Sequence, residues 1–288
     1  MTMHDRTAAQ TRAALVQRLA QPRVIVAPGV FDTLSALLAE QAGFEAVFFS
    51  GSAVSFSQLG VPDIGLVTPP ELLSAVDRAA ERTAVPIIVD VDSGFGSAPH
   101  AARLMRSFER AGAAAVQVED QVLVKPQAQL LSRPLVSIDE MVGKIAAMLD
   151  ARDSPAMLLS ARTDSADPDE ALERCLAYRE AGADLVFAER LVCDADVARL
   201  AQQMGPGVPL VYNTIHDPDA SADALGNLGV RVALFPGLLV QSAAAGMRDA
   251  LSRLHRDPSC AGGGRSLLPG SELQAILGAE EFLAQYRR

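Results

Sequence analysis

The chain has no tryptophan, and aromatic residues make up only 5% of its 288 positions, so any core must be built from aliphatic side chains and alanine. Cysteine is scarce as well. Cys175, Cys193 and Cys260 are far apart and form no Cys-x-x-Cys pair, which argues against a disulfide framework or a thiolate zinc site and suits a reducing cytoplasm. Positive charge is in deficit: 25 Lys and Arg against 35 Asp and Glu leave a net charge of −10. That balance disfavours a nucleic-acid backbone or an anionic membrane as partner. It also leaves acids over to hold a cation. No run approaches the roughly 18 apolar residues of a membrane helix. The opening "MTMHDRTAAQTRAALVQRLA" is polar and amphipathic, without an apolar signal core. The expectation is a soluble, cytoplasmic protein.

Hydrophobic residues are plentiful, at 49%, and their arrangement is regular. Short β-branched runs alternate with amphipathic segments: "VIVAPG" from Val24, "AVFFSG" from Ala46, "PIIVDVD" from Pro86 and "AVQVED" from Ala115. They continue as "MLLSARTD" from Met157, "LVFAE" from Leu185, "PLVYN" from Pro209 and "RVALFP" from Arg231. These runs are apolar on both faces, as strands of a parallel sheet are. Asp32 precedes one helical segment, and Ser137 with Glu140 spells a capping box before another. Three segments, "EQAGFEAV", "ERAGAAAV" and "EAGADLV", end a helix at Gly43, Gly112 or Gly182 and begin a strand. Glycine accepts the left-handed cap that stops a helix.

Eight such units predict a single α/β domain, a (β/α)8 TIM-type barrel, over 23–255. A leading helix lies within 1–22 and a C-terminal helical extension spans 256–288. A doubly wound open sheet is the alternative, disfavoured because no glycine-rich dinucleotide turn follows the first strand. The extension carries an apolar stripe (Leu273, Ile276, Leu277, Phe282, Leu283), for which docking on a neighbouring subunit is expected.

In such a barrel the functional groups lie at the C-terminal ends of the strands. Those ends carry Ser50-Gly51-Ser52, Asp90-Val91-Asp92, Glu119-Asp120, Arg162-Thr163-Asp164, Glu189 and Asn213-Thr214. Asp90 and Asp92, two apart on a strand, are expected to point to one face. Two carboxylates held together need a cation or a proton to relieve them. With Glu119 they form an all-oxygen set suited to Mg2+, or to Mn2+. The plainer readings are a helix cap or a pair with an arginine. Ser50, Gly51 and Ser52 offer hydroxyls and bare N–H groups for a carboxylate, or else a simple strand-to-helix turn. Arg162 can clamp a carboxylate or phosphate, or bridge to Glu119 or Glu189. Glu189 and Asn213 also read as ordinary polar strand ends. Of the histidines only His216 follows a strand end closely enough to reach such a site. His100 belongs to a helix face, and no chemistry is assigned to the cysteines.

Taken together, "PGVFDTLSALLAEQAGFEAVFFSG", "LGVPDIGLVT", "DVDSGFG", "AGAAAVQVEDQ", "SARTD" and "YREAGADLVFAE" resemble the isocitrate lyase/phosphoenolpyruvate mutase superfamily, from about Pro28 to Leu254. The pattern is most similar to 2-methylisocitrate lyases and to relatives acting on substituted malates, oxaloacetate or phosphonopyruvate. The resemblance implies Mg2+ held by Asp90, Asp92 and Glu119, and a small carboxylic-acid substrate on Ser50, Gly51 and Ser52 beside Arg162. It adds Phe48, Asp63 and Thr214 to the substrate side and places Glu189 and Asn213 at the distal part of the substrate. It further implies a homo-oligomer, a dimer of dimers, with the last barrel helix swapped between subunits. The shared chemistry is a pyruvate-type enolate stabilised by metal and arginine.

One segment departs from that pattern. In the lyases the loop after Glu-Asp-Gln reads Lys-Arg-Cys-Gly-His, with the cysteine as acid/base. Here it reads Lys125-Pro126-Gln127-Ala128-Gln129. Lys125 is kept, on a loop expected to gate the site, but an amide cannot deliver a proton near neutral pH. Phe48 also replaces a tyrosine common in the lyases. The first expectation is therefore a Mg2+-dependent C–C lyase or decarboxylase using Lys125, Arg162 and Glu119, with water or another residue handling the proton. The alternatives are P–C chemistry of the phosphonopyruvate hydrolase or mutase kind, for which Lys125-x-Gln127 is a loose analogue of the loop, and an inactive oxo-acid-binding homologue.

Overall fold

The computed structural model describes residues 7–123, 134–205, 207–217, 219–258 and 267–285. Eight parallel strands close into a barrel in sequence order: β1 (Ile25–Val30), β2 (Val47–Phe49), β3 (Ile87–Asp90), β4 (Ala115–Glu119), β5 (Leu158–Thr163), β6 (Leu185–Ala188), β7 (Leu210–Asn213) and β8 (Val230–Phe235). Because β1 pairs with both β2 and β8, the open-sheet alternative is excluded. All eight apolar runs form strands.

The helices are α1 (Ala8–Leu19), α2 (Thr33–Gln41), α3 (Gly51–Val54), α4 (Pro69–Ala80), α5 (Ala98–Arg110), α6 (Ile138–Ala151), α7 (Pro168–Glu180), α8 (Asp194–Met204), α9 (Ala222–Asn227), α10 (Leu238–Arg256), α11 (Gly270–Ile276) and α12 (Ala279–Gln285). Asp32 caps α2 through a bond from the Ser35 N–H. Ser137 caps α6 through the Glu140 N–H, while the Glu140 carboxylate lies 3.4 Å from Lys144. Gly43, Gly112 and Gly182 all have positive φ, as the recurring helix-stop phrase predicts. A short π turn, Ser55–Leu59, follows α3 and ends at left-handed Gly60.

The barrel interior is filled by Ile25, Ala27, Phe48, Ile88, Ala115, Leu158, Leu185, Phe187, Val211, Val232 and Leu234, with Leu15 of α1 joining them from below. Arg12 of α1 donates to the carbonyls of Glu109 and Ala113, and Arg18 to those of Arg23 and Val24. These bonds seat α1 across the N-terminal mouth and leave the C-terminal mouth open. Two further apolar clusters fill the space between strands and helices.

Two helical regions differ from the barrel pattern. Along α10 only Val240 is buried, and Leu238, Met247, Leu251 and Leu254 are exposed. The C-terminal extension meets its own chain: Ile276 is buried, Gln41 and Arg82 donate to the carbonyls of Ile276 and Leu277, and Arg82 stacks over Phe282. These contacts cover part of the apolar stripe, while Leu283 stays exposed. Among the described residues, no helix is long and apolar enough to cross a membrane.

Candidate active site

A cavity of about 280 Å³ opens at the C-terminal ends of the strands. Of the residues expected there, Phe48, Ser50, Ser52, Asp63, Asp90, Asp92, Glu119, Arg162, Glu189 and Asn213 line it. They come from β2, β3, β4, β5, β6, β7 and the loop after Gly60, so closure of the barrel is what brings them together. Gly51 does not line the cavity, but a side chain there would meet Asp90 Oδ2 at 3.5 Å. Thr214 is turned away, its hydroxyl donating to the Leu234 carbonyl. Lys125, Gln127 and Gln129 lie outside the described residues, as does Cys260. His216 ends a 3-10 turn (Thr214–His216), and its side chain lies outside the described residues.

The acids reach the cavity differently from the period-two expectation. β3 ends at Asp90, and Asp92 follows it in a left-handed conformation with φ 45°. The two side chains therefore share the cavity because the chain turns, not because the strand continues. Asp92 donates its N–H to Asp90 Oδ1 at 3.2 Å, and its carbonyl accepts from the Glu119 N–H at 2.8 Å. Asp tolerates this region better than most residues, at a cost of about 1 kcal/mol or more. Buried Lys144 of α6 reaches into the same turn and donates to the Ser93 carbonyl at 3.3 Å.

At the end of β4 the alternation separates two neighbouring acids. Glu119 faces the cavity, whereas Asp120 is buried in the wall. Asp120 accepts from the Asp164 N–H at 3.0 Å, from Tyr178 Oη at 2.7 Å and from Arg174 at 3.2 Å. Asp164 in turn holds Arg162 through two bonds of 2.9 and 2.8 Å. The guanidinium lies 3.5 Å from Glu119, 3.7 Å from Glu189 and 5.4 Å from the centre of the Phe187 ring. The bridges read from the sequence thus form, but the dominant partner is Asp164. Asn213 donates to both oxygens of Glu189 at 3.1 and 3.2 Å and accepts from the Ile215 N–H. Ser50 caps α3, and its hydroxyl is 3.0 Å from that of Ser52.

The electrostatics follow from burial. Desolvation, then the charge of Asp92, pushes Asp90 up to about 7 against the pull of Arg162. Burial also drives Glu119 well above the carboxylate range, opposed by Arg162 and reinforced by Asp164, Asp92 and Asp90. Burial alone would lower Arg162, but Asp164, Glu189 and Glu119 outweigh it and lock the guanidinium in its charged form. Asp90, Asp92 and Glu119, all lining one cavity and the first and last of them pushed toward the neutral form, are an all-oxygen donor set suited to a hard divalent cation. Among the described residues no group of three or more Asp, Glu, His or Cys is drawn into a ready-made cage.

The sequence reading missed Phe56, Gln117, Phe187, Ile215, Leu234, Pro236, Gly237 and Gln241, which also line the cavity. Gln117 and Phe187 were legible in principle: each lies two residues before a predicted strand-end acid and so shares its face. The others arrive from segments that only the closed barrel brings round.

Fold and rim together define a (β/α)8 barrel enzyme with an acidic, arginine-bearing mouth. The chain belongs to the phosphoenolpyruvate phosphomutase family, whose model matches residues 15–255. It is 36% identical over 278 residues to the 2,3-dimethylmalate lyase of Eubacterium barkeri, covering 94% of this chain and 96% of that protein. It is 40% identical over 219 residues to the 2-methylisocitrate lyase of Aeropyrum pernix, covering 74% of this chain and 70% of that one. Among solved structures, a phosphonopyruvate hydrolase in complex with oxalate and Mg2+ superposes with a TM-score of 0.89 at 28% identity, covering 96% of this chain and 98% of that one.

Proposed function

We propose that the protein is a Mg2+-dependent lyase or decarboxylase that breaks a C–C bond in a small 2-hydroxy or 2-oxo di- or tricarboxylic acid, leaving a pyruvate-type enolate. The observation that carries this reading is the convergence of Asp90, Asp92 and Glu119 with Arg162 in one cavity, in a chain whose relatives are lyases. Asp90, Asp92 and Glu119 are the residues to hold Mg2+, directly or through water. The bound ion supplies an electrophile that polarises the substrate oxygen.

Arg162 meets the charge that builds on that oxygen as the bond breaks. Its orientation is fixed in advance by Asp164, so no reorganisation is needed during the reaction. Ser50 and Ser52, with the backbone around Gly51, receive the substrate carboxylate. Asn213 and Glu189, held to each other, face the distal part of the substrate, and Asp63 lies on the same rim. Lys125, which lies outside the described residues, is assigned a catalytic role by the resemblance alone. The proton is handled by water or by a residue other than cysteine.

The experiment is a panel: purified protein with Mg2+ on oxaloacetate, 2-methylisocitrate, substituted malates and phosphonopyruvate, followed for pyruvate and for phosphate. Pyruvate without phosphate supports the C–C reading. Phosphate release would replace it by P–C chemistry, the second reading, which the likeness to phosphonopyruvate hydrolase favours. Turnover of nothing, with tight Mg2+-dependent oxalate binding, would leave a binding protein.

The exposed stripe Leu238, Met247, Leu251 and Leu254 supports a homo-oligomer, a dimer of dimers, in which α10 packs on a partner. Light scattering on the purified chain tests it: a monomer at working concentration rejects the swap.

A further inference from the structure

Gln117, in the cavity lining, and its cross-strand neighbour Ser160 are an unusual pair of groups. Gln117 of β4 lines the cavity yet is only 1% exposed. Neither its amide nitrogen nor its amide oxygen has a hydrogen-bond partner. In register it stands between Asp90 of β3 and Ser160 of β5. Ser160 is also 1% exposed, and its hydroxyl has no partner either. Gln117 precedes Glu119 by two residues, so it lies on the same face one level deeper. Around it the interior is apolar, with Phe48, Phe187 and Leu234 sharing the cavity lining.

Buried polar groups in folded proteins are almost always satisfied, and an orphaned one is costly. Two orphans paired across neighbouring strands, of which Gln117 lines the cavity, make no hydrogen bond that holds the barrel together. We infer that Gln117, with Ser160 beside it, is a substrate-contact subsite that binds the deepest oxygen of the ligand. This rests on the functional reading above and deepens it.

The chemistry of the amide fits that task. The cavity already holds five carboxylates, those of Asp63, Asp90, Asp92, Glu119 and Glu189, and a sixth would repel an anionic ligand. A neutral carboxamide adds a donor without adding charge. It also carries an acceptor, so it takes a carbonyl oxygen or a hydroxyl equally well. Leu at this position would keep most of the volume and lose both functions.

Oxalate is the probe. Its affinity is measured by calorimetry at saturating Mg2+ for the wild type, Gln117→Leu and Ser160→Ala, alongside Mg2+ affinity without oxalate and the melting temperature of each metal-free protein. Loss of a hydrogen bond to a charged oxygen predicts about tenfold weaker oxalate binding for Gln117→Leu. Mg2+ affinity should stay within about twofold, and melting should be unchanged or raised, because a costly orphan has been removed. Ser160→Ala should weaken oxalate in the same direction and fold normally, which keeps the test alive should the larger substitution fail to fold. Oxalate binding unchanged in both variants overturns the inference. So does a lowered melting temperature with unchanged oxalate affinity, the signature of a structural water held by the two groups. A wild type that binds Mg2+ but not oxalate brings down the functional reading itself. A wild type that binds, with variants that bind equally, brings down only this inference.

Discussion

Replacing Tyr178 by Phe removes one oxygen that does not line the cavity, yet it cuts into the strut behind Arg162. Tyr178 Oη donates to Asp120 at 2.7 Å, Asp120 accepts from the Asp164 N–H, and Asp164 clamps Arg162. Both Tyr178 and Asp120 are 0% exposed, so no bulk water replaces the lost donor. A bond to a charged, buried acceptor contributes about 1.5–3 kcal/mol. At about 2.1 cal/mol/K per residue, the 288-residue chain unfolds with an entropy of about 0.6 kcal/mol/K, so the melting temperature should fall by about 2–5 °C.

The loss should depend on pH. Burial raises the Asp120 pKa above its ordinary value, against the pull of Thr163, Tyr178, Asp164 and Arg174. A carboxyl whose folded pKa is raised adds stability below its unfolded pKa and loses it as pH climbs through the folded one. Removing the phenol raises that pKa further. The deficit of Tyr178→Phe should therefore be largest at neutral and alkaline pH and shrink as pH falls through the raised value. Calorimetric melts of both proteins at about pH 5 and about pH 8 make the test. A variant that melts with the wild type, or a deficit equal at both pH values, refutes the strut.

The remaining predictions concern the cavity. Lys in place of Arg162 cannot form the two-point bond to Asp164, so Arg162→Lys should lower kcat by about 10²–10³-fold with little change in Mg2+ affinity; an unchanged kcat refutes the assigned role. With Asp90 pushed up to about 7, the metal-free protein should lose stability as pH rises through that value, and Mg2+ should restore it. The Mg2+-induced rise in melting temperature should then be larger at about pH 8 than at about pH 6, and equal shifts reject these acids as the metal set. Lys144→Met releases the Ser93 carbonyl in the turn that presents Asp92. It should weaken Mn2+ binding, read by electron paramagnetic resonance, by about tenfold or more; unaltered binding would mean the turn holds its shape alone. Asn213→Asp sets a carboxylate against Glu189 and should raise KM for dicarboxylic substrates far more than it lowers kcat.

The regular elements were written locally. Eight β-branched runs became eight strands, Asp32 and Ser137 began helices, and Gly43, Gly112 and Gly182 ended them. Such signals involve neighbours in sequence, so they survive without knowledge of the fold. The positions of Asp90, Glu119 and Arg162 at strand ends were legible for the same reason, and the resemblance to known lyases added their roles.

What the residues touch was not legible. Asp92 reaches the cavity through a left-handed turn rather than along a strand. Asp120 faces the wall while Glu119 faces the mouth, and Arg162 is gripped chiefly by Asp164. Gln117 reads in the sequence as an ordinary polar residue in an apolar run. Its offset from Glu119 puts it on the cavity face, but only closure of the barrel leaves its amide buried without a partner. Local sequence determined which segments are strands and helices, because backbone propensity and capping act over a few residues. The closed order of the strands, the pairing of acids with arginines and the desolvation that shifts their ionisation were decided in three dimensions, because each depends on groups tens of residues apart brought together by the closed barrel.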